Sequence, residues 1–410
     1  MNSFRAIANK MDSVRPVSSL RALIDMHRWA PSGSQTFGNI VARHSNRSLI
    51  TRRFLSMNTY LMDTFHFQEK PAVADRARAF GEIILKNHDL ALLQEVFEDN
   101  VKDIILKAWS SNDQPSVVED AYTVTQGSSG LVSISQKEAL KNKNFFEFNH
   151  EEGDDAWADK GVLFSTMDVG LGTSKLEIYN THLNSAGSWA RKLQLFELVS
   201  FVERKHNKNN VAILAGDFNL APNDAISFKK STIAKVQALM ATATGAIFSG
   251  SINNHFVNDI EAKLNSNEFP NGMTEYRVIT ALLEKIGFTD LWRNRNGTSG
   301  YTSSADNKNT REKICKPAQD NPLLCDDLRV TGAGVGSRRL DYIFVSKPSD
   351  FHTFSLDFTR PRRVRYERAA NAPLREDIKI MFNSQELTIK GIDMLSDHLG
   401  LSADLLFSPI

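Results

Sequence analysis

Carboxylates, amides and imidazoles recur where apolar runs of this chain give way to polar residues: Asn58, Glu95, His182, Asp217 with Asn219, Asp341, and Asp397 with His398. Taken singly, each has an ordinary explanation. Asn58 could cap a turn, His182 could be a satisfied strand histidine, and Gly216-Asp217 could simply turn the chain. Taken together they form a chemical inventory. Carboxylate and amide oxygens are hard ligands that suit Mg²⁺, Mn²⁺ or Ca²⁺, and no thiolate belongs to the set. Two histidines offer an acid and a base near neutral pH. Further Asp and Asn side chains can orient an imidazole or an attacking water. That inventory fits metal-assisted hydrolysis of a phosphoester.

The elements that must position these residues alternate along the chain. Short apolar runs at "RFLSMNTYLM", "HDLALLQ", "GLVSIS", "GVLFSTMDVG", "KLEIYNTHL", "VAILAGDFN", "RRLDYIFVS" and "GLSADLLF" read as strands. "KPAVADRARAFGEIILKN" reads as a helix, with Pro71 in its first turn and Ala74, Ala77 and Ile84 near helical spacing. "SWARKLQLFELVSFVERKH" places Leu193, Phe196, Leu198, Val199 and Val202 on one broad helical face. A mostly helical stretch over about 220–291 looks like an insertion. The pattern predicts one mixed α/β domain over 53–410 with two packed sheets and outer helices, preceded by a basic arm over 1–52.

Bulk properties are those of a folded chain: 410 residues, 41% hydrophobic and 24% charged, with a net charge of +1 that neither demands nor excludes a polyanionic partner. No stretch approaches the ~20 uninterrupted apolar residues of a membrane-spanning helix. Residues 1–53 carry nine Lys/Arg against Asp12 and Asp25 and lack a continuous apolar core, so a classical secretion signal is not expected. The expected location is cytoplasmic, or exported without such a signal, with peripheral membrane contact. Cys315 and Cys325 alone would make an incomplete metal site, and they read equally as free thiols or as a loop clasp. A monomer is expected.

In order, "SMNTY", "LLQEVF", "YNTHLNS", "LAGDFNLAP", "RRLDYIFVS" and "LSDHLGL" resemble the endonuclease/exonuclease/phosphatase superfamily over roughly 53–407. The resemblance implies an α/β (α+β) four-layer αββα sandwich, two central mixed sheets flanked by helices, with the active site at one end. It further implies Asn58, Glu95 and Asp397 at a Mg²⁺ site (Mn²⁺ or Ca²⁺ as alternatives). His182, Asp217, Asn219, Asp341 and His398 become the catalytic set. In that scheme His398 takes the proton of the attacking water and Asp341 fixes its tautomer. Asp217 and Asn219 position water and phosphate, with Asp217 a rival base, and His182 serves the developing charge or the leaving group.

Fold does not fix substrate, so the branch rests on local residues. "YNTHL" differs from the apurinic-site nucleases, and "GDFNLAP" with "RRLDYIF" differs from the inositol polyphosphate 5-phosphatases. Phe97 in "QEVF", the "DKGVLFSTMDVG" element, and Arg191 with Gln194 after the histidine strand look more like neutral sphingomyelinases. A phospholipid phosphodiesterase working at a membrane surface is therefore expected. A DNA or RNA nuclease, deadenylase-like included, is the alternative, followed by a non-catalytic binding module. The stretch "FTRPRRVRYERAANAPLRED" offers Arg360, Arg362, Arg363 and Arg365 for an anionic lipid or nucleic-acid backbone, or else forms a solvated loop. Phe351, Phe354 and Phe358 beside it read either as exposed aromatics or as core.

Overall fold

The structure is a computed structural model and describes residues 49–61, 73–109, 115–119, 128–152, 158–185, 189–222, 224–241, 251–266, 268–296, 339–346, 354–358, 362–364, 378–382, 385–389, 396, 398 and 400–409. Residues 1–48 of the basic arm, Pro71, Phe351, Cys315, Cys325, Arg360, Arg365 and Asp397 lie outside these residues, whereas Ile50–Arg52 of the arm open the first strand.

Two mixed sheets stack face to face. The first contains β1 (Ile50–Leu61), β2 (Leu90–Val96), β3 (Ser116–Glu119), β4 (Val132–Ser135), β11 (Phe354–Phe358), β12 (Arg362–Val364) and β15 (Gly400–Pro409), ordered β11-β15-β1-β2-β4-β3 with β12 also on β15. The second contains β5 (Leu140–Glu147), β6 (Gly161–Met167), β7 (Leu176–His182), β8 (Val211–Asp217), β9 (Phe288–Asp290) and β10 (Asp341–Ser346), ordered β5-β6-β7-β8-β10-β9. Strand β1 runs parallel to β2, and β7 parallel to β8. A separate hairpin pairs β13 (Ile378–Phe382) with β14 (Gln385–Ile389).

Period-two alternation sorts the side chains into layers. Phe54, Leu90, Leu92, Leu163, Ile178, Ile213, Ile343, Leu401 and Leu405 fill the space between the sheets. The opposite face of the first sheet packs Leu55, Met57, Ala91, Leu93 and Ile134 on α1 (Val73–Ala79) and α2 (Asp99–Trp109). The outer face of the second sheet meets α3 (Trp189–Lys205), α4 (Lys230–Met240), α5 (Asn254–Asn265) and α6 (Glu275–Lys285), and α7 (Leu291–Asn296) follows β9. The result is the expected helix–sheet–sheet–helix sandwich.

Several local expectations change. The helix from Val73 ends at Ala79 and continues as a wider π turn to Ile84 and a 3₁₀ turn to Asn87, and Ala74 is exposed while Ala77 is buried. Helix α3 is buried all round from Ala190 to Val202, not on one face, because α5 and α6 cover the side away from the sheet. Within the arginine-rich stretch, Arg362–Val364 is no loop but a strand, paired antiparallel with Ser402–Gly400. Phe358 is core.

Candidate active site

Register brings the site to one end of the sandwich. In the second sheet His182 lies opposite Asp217 and Asp217 opposite Asp341, so three adjacent strands present these side chains in one row. From the first sheet come Asn58 on β1, Glu95 near the end of β2, and His398 just before β15.

Glu95 reaches the site through a break in the sheet. Alternation directs Leu93 to the helical side and Gln94 between the sheets, so a regular strand would turn Glu95 outward. Glu95 instead adopts φ 61, a left-handed conformation that costs a non-glycine residue about 1–2 kcal/mol. Its carboxylate then lies on the inner side, where Oε1 accepts from Asn58 Nδ2 at 2.9 Å. The β1–β2 register breaks at the same level, between Asn58 and Leu61. Gly216 carries a different constraint: a Cβ there would sit 1.9 Å from Thr181 O, so only glycine lets β7 and β8 approach.

Asp217 is the hub. Its Oδ2 accepts from Asn58 Nδ2 at 2.9 Å and lies 3.6 Å from His182 Nε2 and 3.7 Å from His398 Nε2. Its Oδ1 accepts from Asn219 N at 2.8 Å, and Asn219 Nδ2 donates to Leu183 O, tying the ends of β8 and β7 together. Burial pushes the Asp217 carboxyl up to about 7; His398 opposes the rise and the nearby charge of Asp341 adds to it. His398 Nδ1 is 2.8 Å from Asp341 Oδ2, which leaves Nε2 facing Asp217. Ser396 anchors this turn by donating to Asn58 O and accepting from His398 N.

Lys160, quoted within "DKGVLF" but not picked out as a site residue, belongs to the cluster. It is 2% exposed, with Nζ 3.0 Å from both ring nitrogens of His182. Burial, then the charge of Lys160, then His398 hold the His182 imidazole well below its usual range, so it is neutral at pH 7. A single sequence shows Lys160 next to the strand, yet only the β6–β7 register, with Gly161 opposite His182, brings it to the imidazole.

Arg191 and Gln194 act on the loop that leaves His182. Gln194 Oε1 accepts from Asn184 N, its Nε2 donates to His150 O, and Arg191 donates to Asn184 O and Ser185 O while pairing with Glu275 at 2.6 Å. Buried Arg339 pairs with Asp290 and stacks over Tyr342, fixing the entry to β10 beside Asp341.

Among the described residues two groupings could hold a divalent cation. Ligand atoms of Asp217, Asp341 and His398 lie within 4.8 Å of one another, but the 2.8 Å contact of His398 Nδ1 with Asp341 already engages that pair. Glu95 differs: its Oε2 is buried and has no hydrogen-bond partner among the described residues, an oxygen ready for a hard cation beside the Asn58 amide. The donor set fits Mg²⁺ better at Glu95, whose other oxygen is held by Asn58 Nδ2 while Asn58 Oδ1 accepts from Tyr60 N at 3.0 Å. Asp397 falls outside the described residues. Arg362 and Arg363 lie on β12, whose Val364 pairs with Gly400 close to His398, so this strand ends near the site.

The model of the endonuclease/exonuclease/phosphatase family matches residues 67–398. The chain belongs to this family. Its members are hydrolases acting on phosphodiesters. Sphingomyelinase C of Bacillus cereus is 24% identical over 253 residues, spanning 55% of this chain and 73% of that relative. β toxin from Staphylococcus aureus superposes with TM-score 0.51 at 17% identity, covering 86% of this chain and 99% of that one. Sphingomyelinase C from Streptomyces griseocarneus superposes with TM-score 0.50 at 16% identity, covering 87% and 99%. Within the family the chain is sphingomyelinase-like, and the sandwich is the family fold.

Proposed function

We propose that the protein is a Mg²⁺-dependent phosphodiesterase that hydrolyses a phospholipid phosphodiester at a membrane surface. The observation that carries the chemistry is the convergence on Asp217 Oδ2 of Asn58, His182 and His398, with a Glu95 oxygen that has no hydrogen-bond partner among the described residues alongside. The lipid assignment is supported by the similarity to sphingomyelinase C.

Glu95, helped by Asn58, would hold the cation, which when bound supplies Lewis acidity to a non-bridging phosphate oxygen. The chain's own groups supply the rest. Asp341 holds the proton on His398 Nδ1, so Nε2 is the nitrogen that accepts the proton of an attacking water. Asp217, raised into the neutral range, orients that water from the other side and takes part of the proton's charge. Neutral His182 hydrogen-bonds the phosphate or the leaving oxygen, and Lys160 behind it brings positive charge to the same place. Asn219 holds the β7 and β8 ends in register. Arg360, Arg362, Arg363 and Arg365 would meet anionic headgroups.

The test is a substrate panel with Mg²⁺: sphingomyelin vesicles, other phospholipids, single- and double-stranded DNA, RNA and inositol phosphates. Release of a phosphorylated headgroup supports the proposal. Cleavage of DNA or RNA with sphingomyelin left intact would refute the lipid assignment and leave a nuclease.

A further inference from the structure

We propose that Gln94 and Asn180 are positioning residues whose carboxamides clasp the two sheets together and so fix Glu95 relative to His182. The proposal rests on the reading of Glu95 as a cation ligand.

Both side chains are fully buried. Gln94 belongs to the first sheet and immediately precedes Glu95; Asn180 belongs to the second and shares a face of β7 with His182. Gln94 Nε2 donates to Asn180 Oδ1 at 2.7 Å and to Leu92 O at 3.2 Å. Asn180 Nδ2 donates to Leu93 O at 3.0 Å and Val132 O at 3.1 Å. Leu93 and Val132 are the last pair of the β2–β4 ladder at this end, so Asn180 closes that ladder from the opposite sheet. The amide hydrogens of both side chains thus meet carbonyl oxygens, which a carboxylate or an apolar residue could not arrange.

Placement makes the clasp matter to the site. Two residues back along each strand, at Leu92 and Ile178 on the same inner face, the gap is filled by hydrocarbon, which packs without direction. The clasp is a directional contact across the gap, made at the level where order is about to be lost. Gln94 is still in register with Asn58, and Thr59 Oγ1 holds its carbonyl at 2.8 Å. The next residue, Glu95, leaves the extended conformation. Whatever holds Gln94 therefore sets the starting point of the turn that carries the Glu95 carboxylate inward. Partners of this kind orient a metal ligand without touching the metal.

Gln94→Met is the informative variant, because it keeps length and approximate volume while removing both donors. Mg²⁺ binding to the full chain is measured by calorimetry without substrate, alongside the urea midpoint. The expected result is a Mg²⁺ dissociation constant raised about 10–100-fold, as for residues that hold a ligand in place. High Mg²⁺ should then restore most of kcat. Ser133→Ala serves as control: Ser133 is fully buried on the inner face of β4, and its dissociation constant should stay within about twofold. If Gln94→Met lowers the urea midpoint but binds Mg²⁺ like the parent, the clasp is structural only and the proposal is wrong. Glu95→Gln separates the two readings. Parent-like binding in that variant overturns the metal reading itself, whereas lost binding there with intact binding in Gln94→Met overturns the clasp alone. If Gln94→Met does not fold, Asn180→Ser is read by the same criteria.

Discussion

Replacing Asp341 by Asn tests the proton relay at its least forgiving point. Asp341 is fully buried, and its Oδ2 lies 2.8 Å from His398 Nδ1. As a carboxylate it can only accept, so the ring proton stays on Nδ1 and the Nε2 lone pair faces Asp217. Asparagine has the same shape but can turn its NH₂ toward Nδ1, which moves the ring proton to Nε2 and removes the base. Where a comparable carboxylate–imidazole pair is altered this way, kcat falls about 10⁴-fold, or roughly 5 kcal/mol at 1.36 kcal/mol per decade. A loss of about 10³–10⁴ is therefore expected. A second signature follows from the same geometry. The charge of Asp341 helps hold the Asp217 carboxyl up, so its removal should move the acid limb of the pH–rate profile to lower pH. Initial rates on bis(p-nitrophenyl) phosphate across the neutral range, with saturating Mg²⁺ and a urea midpoint as folding control, measure both. A folded Asp341→Asn protein within tenfold of the parent rate would refute the relay.

Glu95→Gln should lower Mg²⁺-dependent hydrolysis by orders of magnitude while the thermal midpoint holds, and parent enzyme that keeps full activity in EDTA would contradict the metal assignment. Gly216→Ala should cost at least about 3 kcal/mol, seen as a fall in the urea midpoint, because the new Cβ would press on Thr181 O; an unchanged midpoint would mean the strands can separate freely. Glu151 supplies a pH test: burial first, then the charges of Asp159 and Glu147, raise its carboxyl to about 7 against the opposing hydrogen bond from Lys160 N. The folded chain holds a proton there that the unfolded chain releases above its ordinary 4.5, so this contribution to stability is fully present below 4.5 and is lost as pH rises through 7. Urea midpoints of the parent relative to Glu151→Gln should accordingly decline across that window, and parallel curves would be inconsistent with it.

The strands that carry the site were legible because they are buried on both faces and read as apolar runs: every residue of β6, β7 and β8 is buried. Strand β5 was not, since "LKNKNFFE" is largely exposed at the end of its sheet and lacks that signature. Strand β12 hid among arginines because a strand needs only backbone hydrogen bonds from β15. The site shows the same division. Residue types announced Asp217 and His398, whereas the inward turn of Glu95 depends on one positive φ, and Lys160 meets His182 only through a register between strands. The all-round burial of α3 escaped for a related reason: the helices that cover it come from a stretch about 50–80 residues further along.

The contact between Arg191 and Glu275 reaches beyond helix packing. Arg191 also grips the carbonyls of Asn184 and Ser185, so the chain leaving His182 is moored, through one guanidinium, to the first turn of α6. The helices between β8 and β9 are consequently part of the frame of the catalytic end, although they contribute no group to it. Exchanging them for the corresponding segment of another family member would preserve the reaction centre only if the graft brought a carboxylate to the same spot. A graft without one would strand a buried cation beneath the loop and loosen the strand end that carries His182.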